Sequence, residues 1–88
     1  MTPEEFSSEL RQAGFEQFVV VEREPRGRLG QHSHPFESKA LILSGEIGLV
    51  VDGHESRYRP GDVFHLANGQ IHEEWYGPLG VRYLVGRK

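Results

Sequence analysis

The chain has 88 residues and no cysteine, so one compact domain with a thin core is expected, disulfides and thiolate sites are excluded, and imidazole and carboxylate remain as tight metal donors. Its formal net charge is −3, from 10 basic and 13 acidic residues; no Lys/Arg block marks a nucleic-acid footprint, and Arg23, Arg26 and Arg28, which lie close to Glu22 and Glu24, read as a solvated strand end. The apolar stretches are too short to span a membrane and no signal peptide is evident, so a soluble cytoplasmic protein is expected.

Residues 1–14 predict a short helix packed on the rest of the domain. Thr2 can cap it, Pro3 suits the first helical position, and Glu5 stands three residues after Thr2, as in a capping box. Phe6, Leu10 and Ala13 recur at helical spacing and Gly14 is a natural stop. From Phe15 the period changes. Phe15 to Glu24 predicts a strand, Pro25 to Gly30 a loop, and Ser38 to Val51 a strand-rich region that ends at Asp52-Gly53, a tight hairpin signal. Ser56 to Tyr58 predicts a short returning strand and Pro60-Gly61-Asp62 a turn. Val63 to Leu66, Ile71 to Tyr76 and Val81 to Val85 complete the set, separated by Asn68-Gly69 and Gly77-Pro78-Leu79-Gly80. Short strands with turn signals at this spacing make residues 15–88 one all-β sandwich or barrel.

The histidines carry the chemistry. His32 and His34 are two apart. In an extended strand such residues share a face about 6.8 Å apart, and their nitrogens can converge on one ion at about 2.0–2.1 Å each. A His-x-His pair beside Pro35 reads equally well as two half-exposed loop histidines. His72 lies in a later strand, where alternation puts Glu74 and Tyr76 on its face and Glu73 and Trp75 on the other. It supplies the third imidazole, the minimum for a catalytic-type site. His65 is expected to be structural or to support the ligands, and His54, at a hairpin tip, to be exposed and inert.

These residues resemble the cupin family. The second cupin motif (Gly, five residues, Pro-x-Gly, two residues, His, three residues, Asn) is matched in spacing by Gly61, Ala67, Gly69, His72 and Tyr76, with Ala67 for the usual Pro and Tyr76 for the usual Asn. The first motif is matched from His32 onward by His34, Ser38 and Gly45, while Gly27 stands one residue too close to His32. The resemblance covers about Phe15 to Val85. It implies a jelly-roll-like β-barrel with the ligands inside, and a homodimer. The usual metal-binding Glu is replaced by Ser38, so the site is three histidines alone or is completed by Glu37, through a bulge, or by Glu74, which has the right parity.

The resemblance therefore predicts a divalent transition metal (Zn, Ni, Fe, Mn or Cu) on His32, His34 and His72; in an enzyme, Glu74 or Tyr76, on the face of His72 by alternation, would be the proton-handling, catalytic group. The ligand or substrate is a small organic molecule. Ser38, Ala40, Ile42 and Phe36 would line its pocket, and Trp75 would lie outside, against the helix or a partner subunit. The alternative is a non-enzymatic binding or sensing barrel, with or without metal. A polar core in which the histidines pair with Glu74 and water is the plainest reading, but buried imidazoles without metal need many partners.

Overall fold

The computed structural model covers residues 1–88 and contains one helix, α1 (Pro3–Gln12), and six strands: β1 (Gln17–Arg23), β2 (Arg28–His32), β3 (Ser38–Val51), β4 (His54–Tyr58), β5 (Val63–Leu66) and β6 (His72–Arg87). The capping box is complete: the Thr2 hydroxyl accepts the Glu5 N–H, and the Glu5 carboxylate accepts the Thr2 N–H. Phe6 and Leu10 are buried. Ala13 is exposed at the helix end, and Phe15 takes its expected place in the apolar stripe. It packs with Phe6, Leu10 and Leu41 on one outer sheet face.

The two long strands organise everything else. β3 and β6 pair antiparallel from Ser38↔Arg87 to Val50↔Glu73, with irregularities between Ile42 and Ser44 and between Gly45 and Ile47. On one side of that bend β1 joins the outer edge of β6 and β5 that of β3. On the other side β2 and β4 take those places. Two four-stranded layers, β1-β6-β3-β5 and β2-β6-β3-β4, thus share their central strands. The arrangement is mostly β and jelly-roll-like, with sheets that do not close into a complete ring.

The bend depends on two glycines. Gly45 and Gly80 have φ of +75° and +74°, and a Cβ on Gly45 would fall 2.1 Å from the Gly80 carbonyl oxygen. Gly77-Pro78-Leu79-Gly80 was expected to separate two strands, yet β6 runs through it. The physical reason is the neighbour: β3 pairs with Tyr76 before the segment and with Val81 after it, so breaker residues produce a corner rather than a reversal. β2 likewise begins inside the expected Pro25–Gly30 loop, because Arg28 and Leu29 pair with Trp75 and Glu74. Asp52-Gly53 is the tight hairpin anticipated, with φ of +51° and +77° at its two central positions, the signature of a type I′ turn.

The main core lies between the layers and includes Ala40, Ile42, Ile47, Leu49, Phe64, Tyr76, Tyr83 and Val85. Fully burying one such aliphatic or phenyl side chain contributes about 1.5–3 kcal/mol. Inward positions on β6 are even-numbered before the corner (His72, Glu74, Tyr76) and odd-numbered after it (Val81, Tyr83, Val85). Trp75 faces outward, as its parity requires. Its ring covers Gly48, its indole N–H donates to Glu55, and Arg57 stacks over it. Strand β4 covers it, not α1, which sits on the other layer.

Candidate metal centre

Three separate segments deliver the polar cluster. His32 ends β2. His34 lies beyond the strand, where its carbonyl accepts the Gly69 N–H at 2.8 Å. That bond ties the His-x-His segment to the turn preceding β6, whose first residues are His72, Glu74 and Tyr76 on the inward face. The ring centroids of His32 and His72 are 4.1 Å apart, those of His32 and His34 5.0 Å, and those of His34 and His72 5.3 Å. One donor atom from each of His32, His34, His72 and Glu74 falls within 4.8 Å of all the others.

The tautomers follow from the backbone. His32 Nδ1 lies 2.6 Å from the Gly30 carbonyl oxygen and His72 Nδ1 lies 3.0 Å from that of Gln70. A carbonyl only accepts, so each Nδ1 carries the proton and donates it. In the neutral rings, Nε2 is then a bare lone pair. Both Nε2 atoms point at one oxygen, Glu74 Oε2, at 3.3 and 3.2 Å. The Tyr76 hydroxyl donates to the other oxygen at 2.8 Å. His32 Nε2 is shut off from solvent with no hydrogen-bond donor to satisfy it.

Two lone pairs and a carboxylate oxygen in mutual contact repel unless a cation lies among them. Protonating both rings would supply charge but would set two imidazolium ions at the 4.1 Å ring separation. A single divalent ion satisfies all the acceptors at once, and Nδ1–H bonds to carbonyls are the usual way a protein orients metal-bound imidazoles. The donor set therefore fits a transition metal. Burial, then the neighbouring His32 and His72, hold the His34 pKa below its ordinary value, which keeps that ring an available donor. Burial, then the hydrogen bond to Glu74, push the Tyr76 pKa well above its ordinary value.

The structure brings His32, His34, His72, Glu74 and Tyr76 together. Ser38 and Phe36 line the adjoining cavity. Glu37 does not reach it: its carboxylate faces the His65 Nε2 at 2.6 Å on the exterior, and its backbone pairs with Lys88. Ser38, the next residue, takes the inward position opposite Leu66. His65 is thereby a surface partner of Glu37. His54 is exposed at the start of β4. Ala40 and Ile42 share the face of Ser38 but are packed into the core, off the cavity wall. The wall instead includes Arg23, Tyr83 and Arg87, which the sequence reading missed. Alternation was the available signal: Val21 and Arg23, like Val85 and Arg87, are two apart on a strand whose inward face is apolar. Arg23 is exposed at the end of β1, as expected, and also lies at the rim of the cavity.

This fold is that of a small jelly-roll-like β domain, and it groups three histidines and one carboxylate that could hold a metal ion. The model of the cupin domain matches residues 19–75, and the chain belongs to the cupin family. A search of the curated proteins finds no match. Among solved structures the chain is similar to an RmlC-like cupin from Shewanella frigidimarina NCIMB 400, with a TM-score of 0.69 and 20% identity over 81% of this chain and 63% of that one. It is similar to the Cnp3 cupin domain of Schizosaccharomyces pombe, with a TM-score of 0.71 and 21% identity over 80% and 53%. It is also similar to the DMSP lyase DddQ of Ruegeria pomeroyi DSS-3, with a TM-score of 0.72 and 28% identity over 81% and 36%. The chain thus spans from 36% to 63% of the length of these three structures. No helix is long and apolar enough to cross a membrane.

Proposed function

We propose that this cupin domain binds a divalent transition metal through His32, His34 and His72, with Glu74 as the fourth donor, and presents it to a small organic molecule in the adjoining cavity. The observation that carries the reading is the convergence of two Nε2 lone pairs on the Glu74 carboxylate while both Nδ1 protons are committed to backbone carbonyls. Zn(II), Ni(II), Fe(II), Mn(II) and Cu(II) all suit imidazole with a carboxylate. When bound, such an ion polarises a carbonyl or a coordinated water. Tyr76, held protonated, orients Glu74 rather than abstracting protons. Ser38 leaves open the space that a longer carboxylate side chain would fill.

Likeness to a lyase supports chemistry in the barrel. One observation favours a second reading, a binding or sensing barrel without turnover. Glu74 is the single carboxylate on the cavity wall, and its oxygens are engaged by His32, His72 and Tyr76, so a metal-bound Glu74 leaves no free carboxylate base. We also read the domain as a homodimer, since the core is thin and β1 leaves Val19 and Val20 exposed on an edge strand. Light scattering at twice the 10.0 kDa chain mass tests that.

The test of the metal site is elemental mass spectrometry on protein purified without chelator, beside the His32→Ala/His72→Ala double variant. About one equivalent in the wild type and none in the variant is expected. No metal in the wild type after reconstitution overturns the metal reading.

A further inference from the structure

Two cations on the cavity wall have no anion in the protein to meet. Arg23 ends β1 and Arg87 ends β6, both on the inward face, Arg23 in register with Val81 and Arg87 next inward after Val85. Both line the cavity beside His32, His34 and Glu74. Neither is in an ion pair, whereas Arg59 is held by Glu46 and Arg82 by Glu22. The one carboxylate on the wall, Glu74, is turned to the imidazoles. Arg87 Nε is shut off from solvent and has no hydrogen-bond partner, a condition that is costly for a charged donor.

Arg87 is also held in place. Its guanidinium lies over the Phe36 ring at 4.9 Å, and Phe36 stacks on His34 at 5.1 Å with 15° between planes. A planar donor fork is therefore fixed one ring away from the imidazole cluster. A guanidinium so placed matches a planar two-oxygen acceptor. Phe64, Leu66 and Val85 line the same cavity and offer an apolar surface that an inorganic oxyanion would not use. The cavity holds about 60 Å³, and a water takes about 10–15 Å³ on that measure. Room inside is thus for about four to six heavy atoms by the same reckoning.

We infer that the pocket takes a small organic carboxylate, its carboxylate group held by Arg87 and its other end turned towards the His32–His34–His72–Glu74 cluster, while Arg23, at the opposite end of the β1–β6 ladder, adds positive charge at the far rim. The inference rests on the reading of this cavity as a ligand site and names the class of ligand. Tyr83, buried beside both arginines with its phenol held up to about 12, is a protonated wall group there.

The test is calorimetric titration of the full chain, loaded with Zn(II) and also metal-free, with propionate, propionamide and inorganic phosphate. Zinc content is measured on every sample. Propionate is expected to bind at least tenfold more tightly than propionamide and than phosphate. Arg87→Gln is expected to weaken propionate at least tenfold with zinc content unchanged. Arg87→Lys, which keeps the charge and loses the fork, should fall between. Arg23→Gln, at the far rim, should weaken it less than Arg87→Gln does. The inference is overturned if the amide or phosphate matches propionate, or if the arginine variants bind propionate like the wild type, since the metal alone would then explain binding. Zinc at one equivalent without propionate binding sinks the inference and spares the metal site. Arginine-dependent propionate binding to a protein that takes no zinc does the reverse.

Discussion

His72 presents Nε2 to Glu74 Oε2 at 3.2 Å while its Nδ1 proton is given to Gln70, so in the neutral ring an acceptor faces an acceptor. His32 repeats the arrangement on the same oxygen at 3.3 Å. A proton or a metal ion between the groups relieves the contact, and on the metal reading proposed above the metal-free protein is a strained form of the loaded one.

Removing that repulsion should reverse the usual effect of a buried polar substitution. In Glu74→Gln the new amide can donate to the bare Nε2 atoms. The metal-free variant should melt at or above the metal-free wild type. A metal at 100 times its Kd stabilises by about 2.7 kcal/mol, or roughly 10–20 °C for a domain of this size, and the variant should lose most of that gain. Thermal melts with and without Zn(II) decide it. A metal-free variant that melts well below the wild type would contradict the tautomer assignment.

Tyr76 donates to the oxygen of Glu74 that faces away from the imidazoles, at 2.8 Å. Tyr76→Phe removes only that bond. Groups that hold metal ligands in place typically contribute 10–100-fold to affinity, so a chelator-competition measurement should show a loss of about that size with little change in the fold.

The corner in β3 and β6 allows a comparison between two glycines with similar backbone angles. Gly45 and Gly53 have φ of +75° and +77°. A Cβ at Gly53 meets nothing within 4 Å, whereas one at Gly45 meets the Gly80 carbonyl oxygen at 2.1 Å. Gly53→Ala should cost only the left-handed strain, about 1–2 kcal/mol. Gly45→Ala should cost more, because a pair of central strands must also separate. Urea unfolding of both variants measures the difference, and equal midpoints would mean that the corner is not tightly held.

The exterior pair Glu37–His65 sets a pH dependence. The hydrogen bond from His65 holds the Glu37 pKa below its ordinary value of 4.5. A carboxyl whose folded pKa is depressed adds stability that is present above the unfolded pKa and is lost as pH falls through the folded value. The wild type should therefore melt above Glu37→Gln near neutral pH, and the gap should close as pH falls below the ordinary carboxylate range. A gap that is constant across that range would rule out the linkage.

Much of the site was legible because strand alternation is local. Once His72 is placed inward, Glu74 and Tyr76 must follow, and Trp75 must face out. The three histidines came from their motif spacing. What escaped depends on neighbours far along the chain. Gly77-Pro78-Leu79-Gly80 reads as a stop in any window of sequence, and only β3, paired on both sides of it, makes it a corner. Arg28 and Leu29 have no alternating pattern of their own and become a strand because β6 offers an edge. Arg23 looked like an ordinary charged strand end, and nothing in the sequence singled out Arg87. Their role appears only when the ends of β1 and β6 are seen to flank the cavity without an acidic partner.

The cavity has walls of unequal firmness. His72, Glu74 and Arg87 sit on β6, which is paired along both edges, while Arg23 and His32 sit on β1 and β2, which pair with β6 alone. The β2 ladder is short and irregular. Fluctuations that unzip an outer strand cost far less than those that part the central pair. Opening is therefore easier on the β1–β2 flank, at Arg23 and His32, than at the donors on β6, and the proposed ligand would enter from that side.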